Sequence, residues 1–260
     1  MSRKLWWLSW VVLLNGCVTQ GGEWGSGQGG NGEWPSWKKL GNAAKTAAVA
    51  PQTWAPIVGA GLLQIDGVDE KWSEDLATDR PVFGSDAKGI SDDLRDVATA
   101  AYLITALAAP SGSTGDKFRG LAVGVGTMIL DGGFSQGLKD LSSRERPDRS
   151  NDQSFPSGHA SKASSRTNMA IRNLDQTGLL RWQRQSLTWL LHGVAAGTGI
   201  ARVEAEKHHL SDVLVGYAVG HFVSTFMYEA FMKGNSAGLQ LSFVGVEDGG
   251  AFTVKIPLRR

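Results

Sequence analysis

The sequence predicts a mainly α fold, a helical bundle followed by a small C-terminal β-hairpin. Three observations lead there. Apolar residues at Leu94, Val97, Ala101, Ile104 and Leu107 or Ala108 recur at helical spacing. Two later stretches, 179–198 and 211–232, are long enough and apolar enough for core helices. In the tail, alternating apolar and polar residues over 239–246 and 251–256 flank Glu247-Asp248-Gly249-Gly250, a hairpin signal.

The chain begins with an export pattern. Ser2-Arg3-Lys4 is a positive start, and Leu5 to Leu14 is an apolar run too short for the roughly 20 residues that span a bilayer. The run ends in Leu14-Asn15-Gly16-Cys17, which resembles a bacterial lipobox. Cys17 is the single cysteine of the chain, so it has no intramolecular disulfide partner, and the resemblance makes it the site of lipidation. Val18 follows it, where Asp would favour inner-membrane retention, so the same resemblance implies the outer membrane. Residues 1–16 are therefore expected to be a lipoprotein signal peptide and 17–37, rich in Gly, Ser, Gln and Trp, a tether.

A helical domain is expected over 38–233. Ala43 to Val49 favours helix, Pro51 and Pro56 break or restart it, and Ile57 to Ile65 forms a second apolar stretch. Residues 66–90 read as a loop with one short helix near Asp69 to Leu76. Ser91 is the expected N-cap of a helix with Asp92 and Asp93 in its first turn, ending at Pro110-Ser111-Gly112. Thr114 or Gly115 opens the next, with a kink expected at Gly132-Gly133. Ser157 is expected to cap a helix reaching about Asn173. Residues 234–260 complete the chain as the hairpin, expected to pack on the bundle. Charged or polar residues fall in every window of about 20, which argues against a polytopic membrane bundle, although 213–232 is apolar enough to leave the question open. A net charge of +1 and the lack of a basic tract with interleaved aromatics argue against a nucleic-acid partner.

The chemistry-bearing residues lie between 139 and 212. His208 and Asp212 are four apart and would share a helix face, so that the carboxylate could hold the imidazole by its Nδ1–H and leave Nε2 as a nucleophile. His159 follows Ser157-Gly158. If Ser157 caps a helix, free backbone N–H groups there favour an anion, Gly158 lets it approach, and His159 can protonate a leaving oxygen. Lys139, Arg146 and Arg202 supply the cations that phosphoryl oxygens need. Arg144 and Arg149 read as solvated surface charges.

Taken jointly, Lys139, six residues, Arg146-Pro147; then Pro156-Ser157-Gly158-His159; then Arg202, five residues, His208, three residues, Asp212 form an ordered pattern. It resembles the type 2 phosphatidic acid phosphatase family, which shares its α-helical core with class A bacterial acid phosphatases and vanadium haloperoxidases. The resemblance implies a bundle of that kind and assigns roles. His208 would form a phosphohistidine, Asp212 would orient it, and His159 would act as acid and then base. Lys139, Arg146, Arg202 and the backbone at Ser157 and Gly158 would hold the phosphoryl oxygens. It implies no cofactor and no metal. Ala201 stands where the family usually has Ser, the gap from Asp148 to Phe155 leaves little room for a lid, and His209, His192 and His221 fall outside the pattern.

The function expected is a phosphatase of phosphate monoesters or diphosphates, acting on membrane lipids such as phosphatidate, phosphatidylglycerol phosphate or an isoprenyl diphosphate, from a periplasm-facing, acyl-anchored position in a bacterial envelope. The partners are then a phosphorylated lipid or small phosphate ester and, through the N-terminal acyl chains, the membrane. A broad acid phosphatase for soluble esters is the alternative, and a vanadium haloperoxidase or an inactive structural lipoprotein remain further classes.

Overall fold

The computed structural model describes residues 24–26 and 34–233, together with the backbone of 240–246 and 249–255. The signal and lipobox expectations, Cys17 included, lie outside the described residues. Among the described residues, eight α-helices follow in order: α1 (Trp37–Val49), α2 (Pro51–Leu63), α3 (Val68–Asp79), α4 (Ala87–Ala108), α5 (Thr114–Ser142), α6 (Gly158–Leu174), α7 (Arg181–Glu204) and α8 (Leu210–Met227), the last continued by a π-turn over Tyr228–Met232. Strands β1 (Gln240–Val246) and β2 (Gly249–Lys255) pair antiparallel, Gln240 opposite Lys255 and Val246 opposite Gly249. Gly249 and Gly250, expected in the turn, already belong to β2.

Most boundaries follow local chemistry. Ser36 and Ser113 cap α1 and α5 by accepting from the backbone N–H of Lys39 and Asp116. Pro51 restarts the chain at the first position of α2, where its missing N–H is harmless, while Pro56 is accommodated inside that helix. Two expectations change. Helix α4 begins at Ala87, a turn before Ser91, so Ser91 is a buried interior residue whose hydroxyl donates to the Lys88 carbonyl, and Asp92 lies in the second turn. Helix α5 passes Gly132-Gly133 without a break, 29 residues in all.

Helices α6 and α8 form the central pair; α4, α5 and α7 pack on α6, and α1, α2 and α5 pack on α8. Glycines set how closely the central pair approaches. A Cβ at Gly216 would lie 2.5 Å from the Ser157 carbonyl oxygen, and one at Gly220 would lie closer still to that of Ser161. With no side chains there, the start of α6 lies directly on α8. Trp24, expected in the tether, is instead a core residue: its Nε1–H donates to Asn173 Oδ1 at 2.8 Å, its ring packs over Gly120, and Lys117 Nζ lies 4.6 Å from the ring centroid.

The distribution of polarity is unusual for a bundle in water. The centre is rich in small and polar residues: Thr127, Asp131, Ser161, Ser165, Thr167, Asn173, Thr198, Ser224 and Thr225 are all buried. The outward faces are apolar. Helix α2 exposes Trp54, Ile57, Val58 and Leu62; α4 exposes Val97, Leu103, Ile104 and Leu107; α5 exposes Phe118, Val125, Ile129, Leu130 and Phe134; α7 exposes Trp182, Leu187, Trp189 and Leu190. The charges that argued against a membrane bundle gather at helix ends or inside: 97–115 and 185–201 carry none, and 120–138 carries only buried Asp131. Among the described residues, one helix, Leu210–Met232, is long and apolar enough to cross a membrane, with mean hydropathy 1.3, and it is the half-buried central one.

Gly220→Ala is expected to destabilise the bundle by about 2 kcal/mol or more, because the added methyl meets backbone that cannot move aside. Gly41→Ala, on α1 with open space around it, should be neutral or slightly stabilising. Chemical denaturation of the two variants checks this; equal midpoints would contradict the close α6–α8 contact.

Candidate active site

Three stretches meet at one end of the bundle: the end of α5 with the loop to Ser157, the start of α6, and the end of α7 with the turn into α8. Backbone hydrogen bonds stitch them together. Ser157 N–H donates to the Asp212 carbonyl at 2.9 Å, Asp148 N–H to the Glu206 carbonyl at 3.1 Å, and Ser154 N–H to the Arg144 carbonyl at 2.9 Å.

His208 precedes α8 rather than lying in it; His209 is the N-cap residue and Asp212 sits in the first turn. The expected shared helical face is therefore replaced by a loop geometry. The Nδ1 of His208 lies 2.6 Å from the Ser154 carbonyl oxygen and 4.0 Å from Asp212 Oδ2. A carbonyl only accepts, so Nδ1 carries the proton and Nε2 keeps its lone pair. The ring is 2 % exposed. Burial, then the charges of Arg202, Lys139 and Arg146, hold its pKa well below the usual imidazole value. His208 is thus a neutral imidazole with an unprotonated Nε2 across the physiological range.

Asp212 holds the frame around this ring. Its Oδ2 accepts from the Ser154 hydroxyl at 2.5 Å and from the His209 N–H at 2.8 Å, and its Oδ1 accepts from Arg144 Nη1 at 2.7 Å. Arg144 is no surface charge. It also donates to the Ser211 hydroxyl at 2.8 Å and to buried Asp69 Oδ2 at 2.9 Å. Asp69, on α3, accepts in turn from the Ser211 N–H at 2.8 Å. Two buried carboxylates thereby share one guanidinium, and removal of that cation would leave both uncompensated. Arg149 is exposed as expected.

The three predicted phosphate-binding cations surround the imidazole. Lys139 is nearly buried and donates from Nζ to the Gln153 carbonyl at 2.7 Å. Burial, and next the Arg146 charge, pull its pKa down to about 8. Arg202, also buried, reaches the Ser91 hydroxyl at 3.3 Å, and burial and Arg146 lower it to about 10. The Nε atoms of Arg146 and Arg202 are buried without a hydrogen-bond partner among the described residues. Like charges do not gather unpaired in a protein unless something compensates them, and an oxyanion does so with the right geometry.

The start of α6 supplies further donors. Ser157 is its N-cap, the hydroxyl accepting from Ala160 N–H at 3.5 Å. The N–H groups of Gly158 and His159 have no intrahelical acceptor, and a Cβ at Gly158 would touch only the Lys139 side chain. His159 lies in the first turn, with Nε2 2.8 Å from Asp92 Oδ1 and 2.9 Å from Arg95 Nη1. Burial and the Arg202 charge lower its pKa to about 4, against the opposing pull of Asp92.

This arrangement brings Lys139, Arg146, Ser157, Gly158, His159, Arg202, His208 and Asp212 to one place. Sequence reasoning missed Ser154, Asp69, Arg144, Asp92 and Arg95. The first turn of a misplaced helix concealed Asp92, and a backbone carbonyl such as that of Ser154 leaves no trace in sequence. His221 lies elsewhere, its Nδ1 2.8 Å from Thr53 Oγ1.

Comparison with known proteins bears directly on this geometry. The family model described as PAP2 superfamily matches residues 120–236, a stretch containing every predicted site residue from Lys139 to Asp212. Among solved structures, the bundle resembles that of the transmembrane PAP2-type phosphatidylglycerolphosphate phosphatase from Bacillus subtilis, with a TM-score of 0.51 and 22% sequence identity over 68% of this chain and 92% of the other. That likeness is one of fold. No curated protein matches the chain. Asp69, Asp92 and Arg95 lie before the stretch matched as PAP2.

Loss of the Lys139 proton should weaken anion binding. The inhibition constant of inorganic phosphate is expected to rise as pH passes about 8, by roughly tenfold per lost charge-assisted contact. Lys139→Arg, which keeps its charge, should move that limb to higher pH. Phosphate inhibition unchanged from neutral to strongly alkaline pH would remove Lys139 from the anion site.

Proposed function

We propose that this protein is a phosphatase of the PAP2 kind, hydrolysing phosphate monoesters or diphosphates of membrane lipids through a phosphohistidine on His208. One observation carries the reading: a buried, neutral imidazole with a free Nε2 lone pair, lying among three cations of which two have unpartnered N–H groups. In the first step Nε2 attacks phosphorus as the bond to the leaving oxygen breaks, and His159 gives that oxygen its proton. In the second, water attacks phosphorus, His159 takes the water proton, and the P–N bond breaks to return the lone pair to Nε2. Lys139, Arg146, Arg202 and the N–H groups at the start of α6 neutralise the phosphoryl oxygens. Asp212 acts through Ser154, holding the carbonyl that orients His208.

A lipid substrate is supported by the outward faces of α2, α4, α5 and α7. Apolar side chains on the outside and hydroxyl-rich contacts within suit a bundle set against membrane lipid, where packing comes from small and polar residues rather than from a hydrophobic centre. The fold relative is itself described as a transmembrane phosphatidylglycerolphosphate phosphatase. The lipobox-like segment adds acyl chains on Cys17, in a periplasm-facing, outer-membrane position.

The test is phosphate release by the purified chain from phosphatidate, phosphatidylglycerol phosphate, isoprenyl diphosphates and soluble esters side by side. The lipids are expected to give the highest kcat/KM, and His208→Ala to lose at least 1,000-fold, on the order of a removed nucleophile. Full activity in His208→Ala would end the mechanism, and faster turnover of soluble esters would end the lipid assignment. Cys17→Ser should abolish acyl labelling; persistent label would contradict the anchor.

A further inference from the structure

Helix α4 lies before the matched stretch, yet it touches two of the predicted catalytic and binding side chains. Ser91 meets Arg202, and Asp92 meets His159. The second contact is specific. Asp92 Oδ1 lies 2.8 Å from His159 Nε2, and Arg95 Nη1 lies 2.9 Å from the same carboxylate oxygen. Arg95 Nη1 lies 2.9 Å from His159 Nε2 as well; its donor goes to the opposite charge of the carboxylate, which leaves that carboxylate to accept from the ring.

Resting on the phosphatase reading above, we propose that Asp92 is a positioning residue for the proton donor, accepting the Nε2–H of His159 so that Nδ1 is the atom that exchanges protons with the leaving oxygen and with water. An ionised carboxylate at Nε2 selects the tautomer with the proton there. It leaves the Nδ1 lone pair to accept a proton, and it stabilises the imidazolium that carries it. The need for such a partner follows from the surroundings. His159 is held low in proton affinity by burial, by Arg202 on α7 and by Arg95 on α4; Asp92 is the carboxylate that opposes them. Without it the ring would feel the charges of Arg202 and Arg95 with no carboxylate to oppose them, and could scarcely hold the proton it must deliver. Asp92 itself is half exposed and needs Arg95 to stay in place. Proton balance is simple. The imidazolium loses its Nδ1 proton to the leaving oxygen in the first step and regains one from the attacking water in the second, while the Nε2 proton stays with Asp92.

The consequence is a dependence on leaving group. An alkoxide leaving group needs the proton; p-nitrophenolate does not. For Asp92→Asn, kcat/KM, which reports only the steps through phosphoryl transfer, should fall by about 100-fold on an alkyl phosphate and less than about threefold on p-nitrophenyl phosphate. His159→Ala should show the same split, and the double variant should add nothing further. Asp92→Glu should recover part of the alkyl rate. A nuclear magnetic resonance titration of the His159 ring, which needs no turnover, should show its midpoint lowered by about one unit in Asp92→Asn. Equal losses on both substrates, or an unmoved His159 titration, would overturn the proposal. A wild-type protein that releases no phosphate would overturn the phosphatase reading instead, and the titration would still decide the Asp92 contact.

Discussion

The carboxylate of Asp212 has no exposed surface and satisfies donors from three parts of the chain: the Arg144 guanidinium, the Ser154 hydroxyl and the His209 N–H. Its own backbone carbonyl accepts from Ser157. The loop after α5, the cap of α6 and the start of α8 are therefore held together at one residue. His208 is oriented through that junction, since the carbonyl facing its Nδ1 belongs to Ser154, the same residue whose hydroxyl Asp212 fixes. A buried charge of this kind is tolerable only when fully paired. Arg144, bridging Asp69 and Asp212, supplies the pairing and ties α3 to the site as well.

The electrostatics of the pocket follow from the same frame. Burial makes each charge expensive, so the pKa values of Lys139 and Arg202 fall, and His208 stays neutral. Such a site is poorly balanced by protein alone. On the proposed mechanism a phosphoryl group would bring the negative charge that offsets it, and the transition state, with charge spread over its equatorial oxygens, would do so best. The glycines at 216 and 220 shape the pocket indirectly. They let α6 lie on α8, which brings the N-terminus of α6 to the same end as His208.

Much of this was legible in the amino-acid order. The helices, the cap at Ser157 and the three cations all carry strong local or motif signals. The failures share a cause: each residue missed is defined by a distant partner. Ser91 has the composition of an N-cap, but Ala87 opens the helix and Ser91 turns inward to Arg202. Arg144 reads as a surface charge until α3 brings Asp69 beside it. Trp24 sits in a glycine-rich stretch with no periodicity, yet finds a groove at Gly120 and a partner in Asn173. The outward apolar faces were hidden for a related reason. A hydropathy window averages the inner and outer faces of a helix, and here the inner faces are the polar ones.

On the proposed mechanism, Nε2 of His208 is the atom that receives phosphorus. Rapid quenching of a reaction with labelled substrate into alkali, which preserves phosphohistidine, followed by mass mapping of the peptides, tests this most directly. Label on the peptide carrying His208, absent from the His208→Ala protein and present at reduced turnover in the His159→Ala protein, is the outcome expected. Label on His159 or His209 instead, or turnover with no phosphoenzyme at any quench time, would contradict it.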